Sequence, residues 1–181
     1  MTVSESRFVD LFDRHYRPVY AYCRRRTTAD LVDDVVAETF LVAWRRLDVV
    51  PDGHDALPWL FTVAYKVLGN QRRSIGRHGR LAEKLASIGH QMPGLPDELY
   101  IVGEESRLVI TALESLGRSD QEILRLAAWE ELPHAEIADV LGISVHAVRQ
   151  RLHKAKKRLA KSYDSLERRR TTPAARKGGT W

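Results

Sequence analysis

The stretch LPHAEIADVLGISVHAVRQRLHKAKKRL, Leu132 to Leu159, reads as two helices joined by a tight turn. Ile137, Ala138 and Leu141 fall on one side of the first helix, at helical spacing. Gly142 supplies the turn, since glycine takes a left-handed backbone without steric penalty. Ile143 is placed to plug the angle between the helices, and Ser144 to cap the second. That second helix then carries Val148, Leu152, Ala155 and Leu159 at i, i+4, i+7 and i+11. The combination is a helix-turn-helix, a far more specific signal than a basic amphipathic helix alone.

The opposite face of the second helix shows His146, Arg149, Gln150, His153 and Lys154. N-terminal residues of a recognition helix reach base edges in the major groove. Arg149 suits a guanine edge and Gln150 an adenine. Arg151, Lys156, Lys157 and Arg158 point sideways or lie further along, where phosphate contacts are expected. The two histidines fit a solvated face about as well as a DNA contact, because a neutral imidazole adds little electrostatic affinity.

Charge supports a polyanion at this end. Ser144 to Trp181 holds twelve Lys or Arg against two Asp or Glu, within a chain of net charge +5. Asp97 to Asp139 runs the other way, with eleven acidic residues and three basic ones. A basic end beside an acidic stretch suggests a nucleic acid on one side and a basic partner on the other.

Upstream, three segments have helical spacing. Phe8 to Arg26 places Phe8, Leu11, Phe12, Val19 and Cys23 on one side, with Pro18 expected to start or kink a turn. Asp30 is expected to cap a second helix reaching Leu47, with Leu31, Val36, Phe40, Trp44 and Leu47 inward. Its outer side carries Asp34, Glu38, Val42 and Arg45, either a docking face for another protein's helices or a solvated surface. Asp55 is expected to cap a third, with Leu60, Ala64, Val67 and Leu68 inward. Across from these lie Lys66, Gly69, Asn70 and Arg73, with Arg72 beside them, residue types common against DNA. Trp59 lies just upstream, where it suits a core anchor or a platform for an unpaired base.

Composition then changes. Residues 76–103 hold five glycines and two prolines and read as a linker, with a short basic helix expected around Arg80 to Ser87. A second unit begins near Glu104, with Leu108, Ala112 and Leu116 in step. Ser119 and Glu122 form a capping-box pattern ahead of a helix through Trp129. The basic segment 164–181 is expected to be disordered. The fold class expected is all-α: two small helical domains, 5–75 and 104–163, on a flexible tether.

Several functions lack support. Cys23 is the single cysteine, so neither an internal disulfide nor a zinc finger is available. The seven histidines form no His-x-x-x-His pair, and no nucleophile context or phosphate-cradling glycine loop is present. Asp33, Asp34 and Glu38 resemble a metal cluster superficially, but acidic residues at a helix start are favoured by the dipole. No cofactor, metal or catalysis is implied. With no secretory signal and no membrane-length apolar run, a cytoplasmic protein without membrane insertion is expected.

The segments DLVDDVVAETFLVAWRRL, PWLFTVAYKVLGNQRR and ALESLGRSDQEILRLAAWEELPHAEIADVLGISVHAVRQRLHKAKKRL together resemble the extracytoplasmic-function (group IV) sigma factors of the sigma-70 family. The resemblance spans residues 8 to 163 in the family's order. It implies a subunit of bacterial RNA polymerase that directs the core enzyme to promoters. The first domain, similar to sigma region 2, would dock on the β′ clamp helices through Asp33, Asp34, Glu38, Val42 and Arg45. It would also recognise the −10 element and hold a flipped base of the melted non-template strand. Lys66, Asn70, Arg72 and Arg73 match the DNA-facing helix there, with Trp59 beside them. The second, similar to region 4, would meet the β flap and set Val145 to Lys154, including Arg151, in the −35 major groove of double-stranded promoter DNA, with Lys157 on the backbone. An anti-sigma factor is a further partner the resemblance allows. Asn70 stands where the family often has aspartate, and Gly117 where it often has proline. The other readings of the residues are a stand-alone helix-turn-helix regulator and a nucleic-acid enzyme.

Overall fold

The structure, a computed structural model, describes residues 2–83 and 104–171, with side chains for 2–74 and 105–171. Seven α-helices make up the described residues, with one short 3-10 turn and no strand. The chain forms two compact units.

The first unit is a three-helix bundle of α1 (Val3–Arg24), α2 (Ala29–Arg45) and α3 (Ala56–Glu83), each packed on the other two. A capping box opens α1: the Glu5 backbone N–H donates to the Thr2 hydroxyl, and the Thr2 N–H donates to the Glu5 carboxylate. The helix runs on through Pro18, whose missing N–H is outweighed by burial of Val19, Tyr22 and Cys23 in the next turn. Thr28, not Asp30, is the N-cap of α2, and Asp30 sits in the first turn where its charge complements the dipole. The buried stripe of α2 is Val32, Val35, Val36, Thr39, Phe40 and Ala43, so Leu31, Trp44 and Leu47 are less enclosed than their spacing suggested. Thr39 remains satisfied in the core by donating to the Val35 carbonyl at 2.7 Å. A 3-10 turn, Gly53–Asp55, leads into α3, which buries Leu60, Phe61, Val63, Ala64 and Leu68. Arg7 fastens the preceding loop to α1, donating to the carbonyls of Leu47 and Val50 at 2.6 and 2.8 Å and pairing with Asp52.

Cys23 is fully buried in this core. Burial pushes its thiol up to about 12, against the opposing pull of Arg26 and Arg25. The thiolate is the reactive form. The native protein is therefore expected to resist a thiol reagent at neutral pH while the denatured chain is labelled stoichiometrically; equal labelling of both would contradict this burial.

The second unit is built on α4 (Glu104–Glu114), α5 (Arg118–Ala128), α6 (His134–Leu141) and α7 (Val145–Thr171), with α7 packed against both α4 and α5. Gly117, rather than a Ser119 capping box, is the N-cap of α5. Gln121 donates to the carbonyls of Glu114 and Leu116 at 3.1 and 2.8 Å, covering acceptors left open at the end of α4. Arg158 pairs with Asp120 at 2.6 Å, and Ser115 meets Ser162 at 2.7 Å, so α7 is pinned to both neighbours.

Between α5 and α6, Glu131 holds a left-handed backbone, φ 53°. That conformation costs a side-chain-bearing residue roughly 1–2 kcal/mol. Glycine removes the strain but has more freedom when unfolded. Glu131→Gly is expected to stabilise the unit by about 0.5–1 kcal/mol, seen as a rise of several degrees in Tm. A fall in Tm would mean that the carboxylate itself holds the turn.

Two boundaries differ from the sequence reading. The third helix continues beyond Ile75 to Glu83, and the last beyond Tyr163 to Thr171. Tyr163 and Leu166 extend the half-buried stripe of α7, Arg168, Arg169 and Arg170 suit its C-terminal dipole, and no breaker intervenes before Pro173. The segment 164–171 expected to be disordered is therefore helical. The rest of the expected linker (84–103) and tail (172–181) lies outside the described residues.

Candidate functional site

The helix-turn-helix is built by backbone geometry. Gly142 adopts φ +63°. The N–H of Ile143 donates to the Ala138 carbonyl at 3.0 Å and that of Gly142 to Asp139 at 3.3 Å, the two bonds of a Schellman ending. Ser144 then caps α7 by accepting from the Ala147 N–H at 3.2 Å. Ile137, Ala138, Val140, Val148, Leu152 and Ala155 are buried, whereas Leu141, Ile143 and Leu159 are half-buried.

With that side fixed inward, the other side of α7 is free. Val145, His146, Arg149, Gln150, Arg151, His153, Lys154 and Lys157 are all exposed. His146, Gln150, His153 and Lys157 fall at i, i+4, i+7 and i+11, one outward stripe directly opposite the core. Arg149 and Val145 flank it on one side, Lys154 and then Arg151 on the other. The Gln150 amide nitrogen and the His146 Nε2 lie 2.8 Å apart. Arg158, expected on the phosphate side, is instead committed to Asp120.

In the first unit a shallow groove runs between α2 and α3. Asp34, Glu38, Val42 and Arg45 line it from α2, and Val63, Lys66, Val67, Asn70, Gln71 and Ser74 from α3. Two stripes read separately in the sequence thus share one surface. Asp33 is exposed outside the groove, and Val42 is half-buried within it. Arg73 is exposed and donates to the Asn70 side chain one turn back.

Arg72 behaves differently. It is half-buried, and its guanidinium donates to the Arg26 carbonyl at 2.9 Å, tying α3 to the α1–α2 turn. Arg26 lies 3.6 Å above the Tyr22 ring, which stacks on Phe61 at 4.6 Å. Trp59 is half-buried in the first turns of α3.

One surface was not read from the sequence. Val9, Phe12, Leu41 and Trp44 are exposed along α1 and α2, beside Phe8 and Tyr16. Phe8 meets Trp44 edge-on at 5.1 Å, and Phe12 meets Phe40 at 4.8 Å. The signal was present in FLVAW, Phe40 to Trp44: five apolar residues in a row span more of a helix than one core face can bury.

Among the described residues, no group of three or more His, Cys, Asp or Glu could hold a metal ion. None of their helices is long and apolar enough to cross a membrane.

Comparison with known proteins decides the family. Residues 11–78 match sigma-70 region 2, and residues 106–159 match sigma-70 region 4. The chain is 31% identical to the ECF RNA polymerase sigma factor SigL of Mycobacterium tuberculosis, over 86% of this chain and 88% of that one. The chain belongs to the extracytoplasmic-function sigma factors of the sigma-70 family. The RNA polymerase sigma factor YlaC of Bacillus subtilis is a further relative, 28% identical over 84% of this chain and 90% of its own. Among solved structures, a sigma factor RpoE bound to the anti-sigma factor NepR from Bartonella quintana shares the fold. Its TM-score is 0.72 at 19% identity, over 87% of this chain and 96% of that one. CnrH, solved with the cytosolic domain of CnrY, gives 0.57 at 25% identity, over 87% and 88%. This sigma factor therefore binds core RNA polymerase and directs it to promoters. Its two units are the region 2 and region 4 domains.

Proposed function

We propose that the groove of the first unit and the outer face of α7 divide promoter recognition between them. The observation that carries this is the shared groove, which puts Asp34, Glu38, Val42 and Arg45 across from Lys66 and Asn70. The α2 wall docks on the β′ clamp helices, with Asp33 beside it. The α3 wall, with Arg73 and Trp59, meets the −10 non-template strand as it melts. Arg72 supports that surface by holding α3 to the Arg26 carbonyl. The α7 stripe with Arg149, Lys154 and Arg151 enters the −35 major groove, and the second unit meets the β flap. The first domain takes in α3 to Glu83, and the second runs from Glu104 to Thr171.

The sigma factor has no catalysis of its own and acts in the cytoplasm. An anti-sigma factor is its proposed regulator: RpoE of Bartonella quintana was solved with the anti-sigma factor NepR, and CnrH with the cytosolic domain of CnrY. The exposed ridge of Val9, Phe12, Leu41 and Trp44 offers that regulator an apolar surface.

Paired substitutions test the division. Glu38→Lys is expected to abolish capture of core polymerase. Lys66→Ala is expected to keep capture and lower open-complex formation on a promoter. Loss of capture by Lys66→Ala, with Glu38→Lys unimpaired, would overturn it.

A further inference from the structure

Within the reading of α7 as the −35 reader, we infer that His146 is a specificity-determining residue: it fixes which edge of the Gln150 amide is offered to a base. His146 and Gln150 stand one helical turn apart on the exposed outward stripe, their Nε2 atoms 2.8 Å apart. An amide nitrogen carries two hydrogens and no available lone pair, so it is the donor in this contact. The imidazole Nε2 is then the acceptor, and the ring carries its proton on Nδ1.

This contact orients the amide. One Gln150 N–H points to the ring. The other N–H and Oε1 are left side by side on an exposed side chain. One donor beside one acceptor is the complement of adenine, which shows N7 as acceptor and the N6 amino group as donor. A glutamine without a neighbour can turn its amide over and offer either order. His146 removes that freedom.

The test uses holoenzyme assembled from the full chain and core polymerase, selected on promoters randomised across the −35 element. Wild type, Gln150→Ala, His146→Ala and His146→Gln are compared. Gln150→Ala locates the base position by erasing its preference. Wild type is expected to favour adenine there by about tenfold, with most of that preference lost in His146→Ala. His146→Gln restores it, because its side-chain oxygen accepts from Gln150 in place of the ring. A preference that survives His146→Ala, or one that His146→Gln fails to restore, overturns the inference. So does a −35 preference indifferent to Gln150→Ala, an outcome that leaves α7 as the reader. A wild type with no −35 preference at all strikes the reading of α7 itself.

Discussion

Val148→Asp is expected to unfold the second unit and to abolish promoter-specific initiation. Val148 is fully buried at the first turn of α7, on a face shared with the buried Leu152 and Ala155. Leu152 and Ala155 are apolar and offer a carboxylate no side-chain hydrogen-bond partner. The substitution loses the transfer energy of the valine side chain, about 1.5–3 kcal/mol. It adds the penalty of an unpaired buried charge, several kcal/mol more. A unit of this size holds only about 3–10 kcal/mol in total. The expected readout is a partial loss of helical ellipticity, with protease-resistant material confined to the first unit, whose core of Val19, Tyr22, Val35, Leu60 and Leu68 is its own. Retained helicity and normal −35 dependence would remove Val148 from the core and undo the orientation assigned to α7.

The helix-turn-helix was legible because its determinants are local. Gly142, Ser144 and the stripe from Val148 to Ala155 each do their work within a turn or two of their own position, so spacing suffices. The core of α2 was less legible. Spacing picked out Val36 and Phe40 correctly but also Trp44, which lies exposed beside Phe8. A helix carrying apolar residues on more than one side leaves its inward direction to be set by the helices packed on it. Arg72 shows the same limit. Its place next to Arg73 suggested a second DNA-facing charge, but the Arg26 carbonyl to which it donates lies 46 positions away in the chain and has no signal beside it. The groove between α2 and α3 was legible as two stripes and not as one surface, because nothing in either helix states how it is rotated against the other. Asp30 and Thr28 are both capping types. The backbone made Thr28 the cap, and the dipole kept Asp30 favourable within the first turn.

Replacing Arg149, Lys154 and Lys157 together by alanine is expected to weaken holoenzyme binding to a −35-dependent promoter by about a hundredfold or more at low salt. A bidentate contact to a base is worth about 1–3 kcal/mol. Each phosphate neutralised adds a slope of about −0.9 in log affinity against log salt. With Lys154 and Lys157 on phosphates, and Arg149 on a base edge or a third phosphate, the slope is expected to fall in magnitude by about 2–3. All three side chains are exposed, and alanine is the better helix former, so the unit should keep its fold and its Tm. Arg158→Ala supplies the internal comparison. Its guanidinium is already paired with Asp120, so its loss should leave the slope almost unchanged and lower Tm slightly. Fluorescence titration of a promoter fragment over a salt series reads both quantities. If Arg158→Ala flattened the slope as much as Lys157→Ala, the DNA-facing side of α7 would have to lie on the α5 flank, and the outward stripe of His146, Gln150, His153 and Lys157 would face solvent instead.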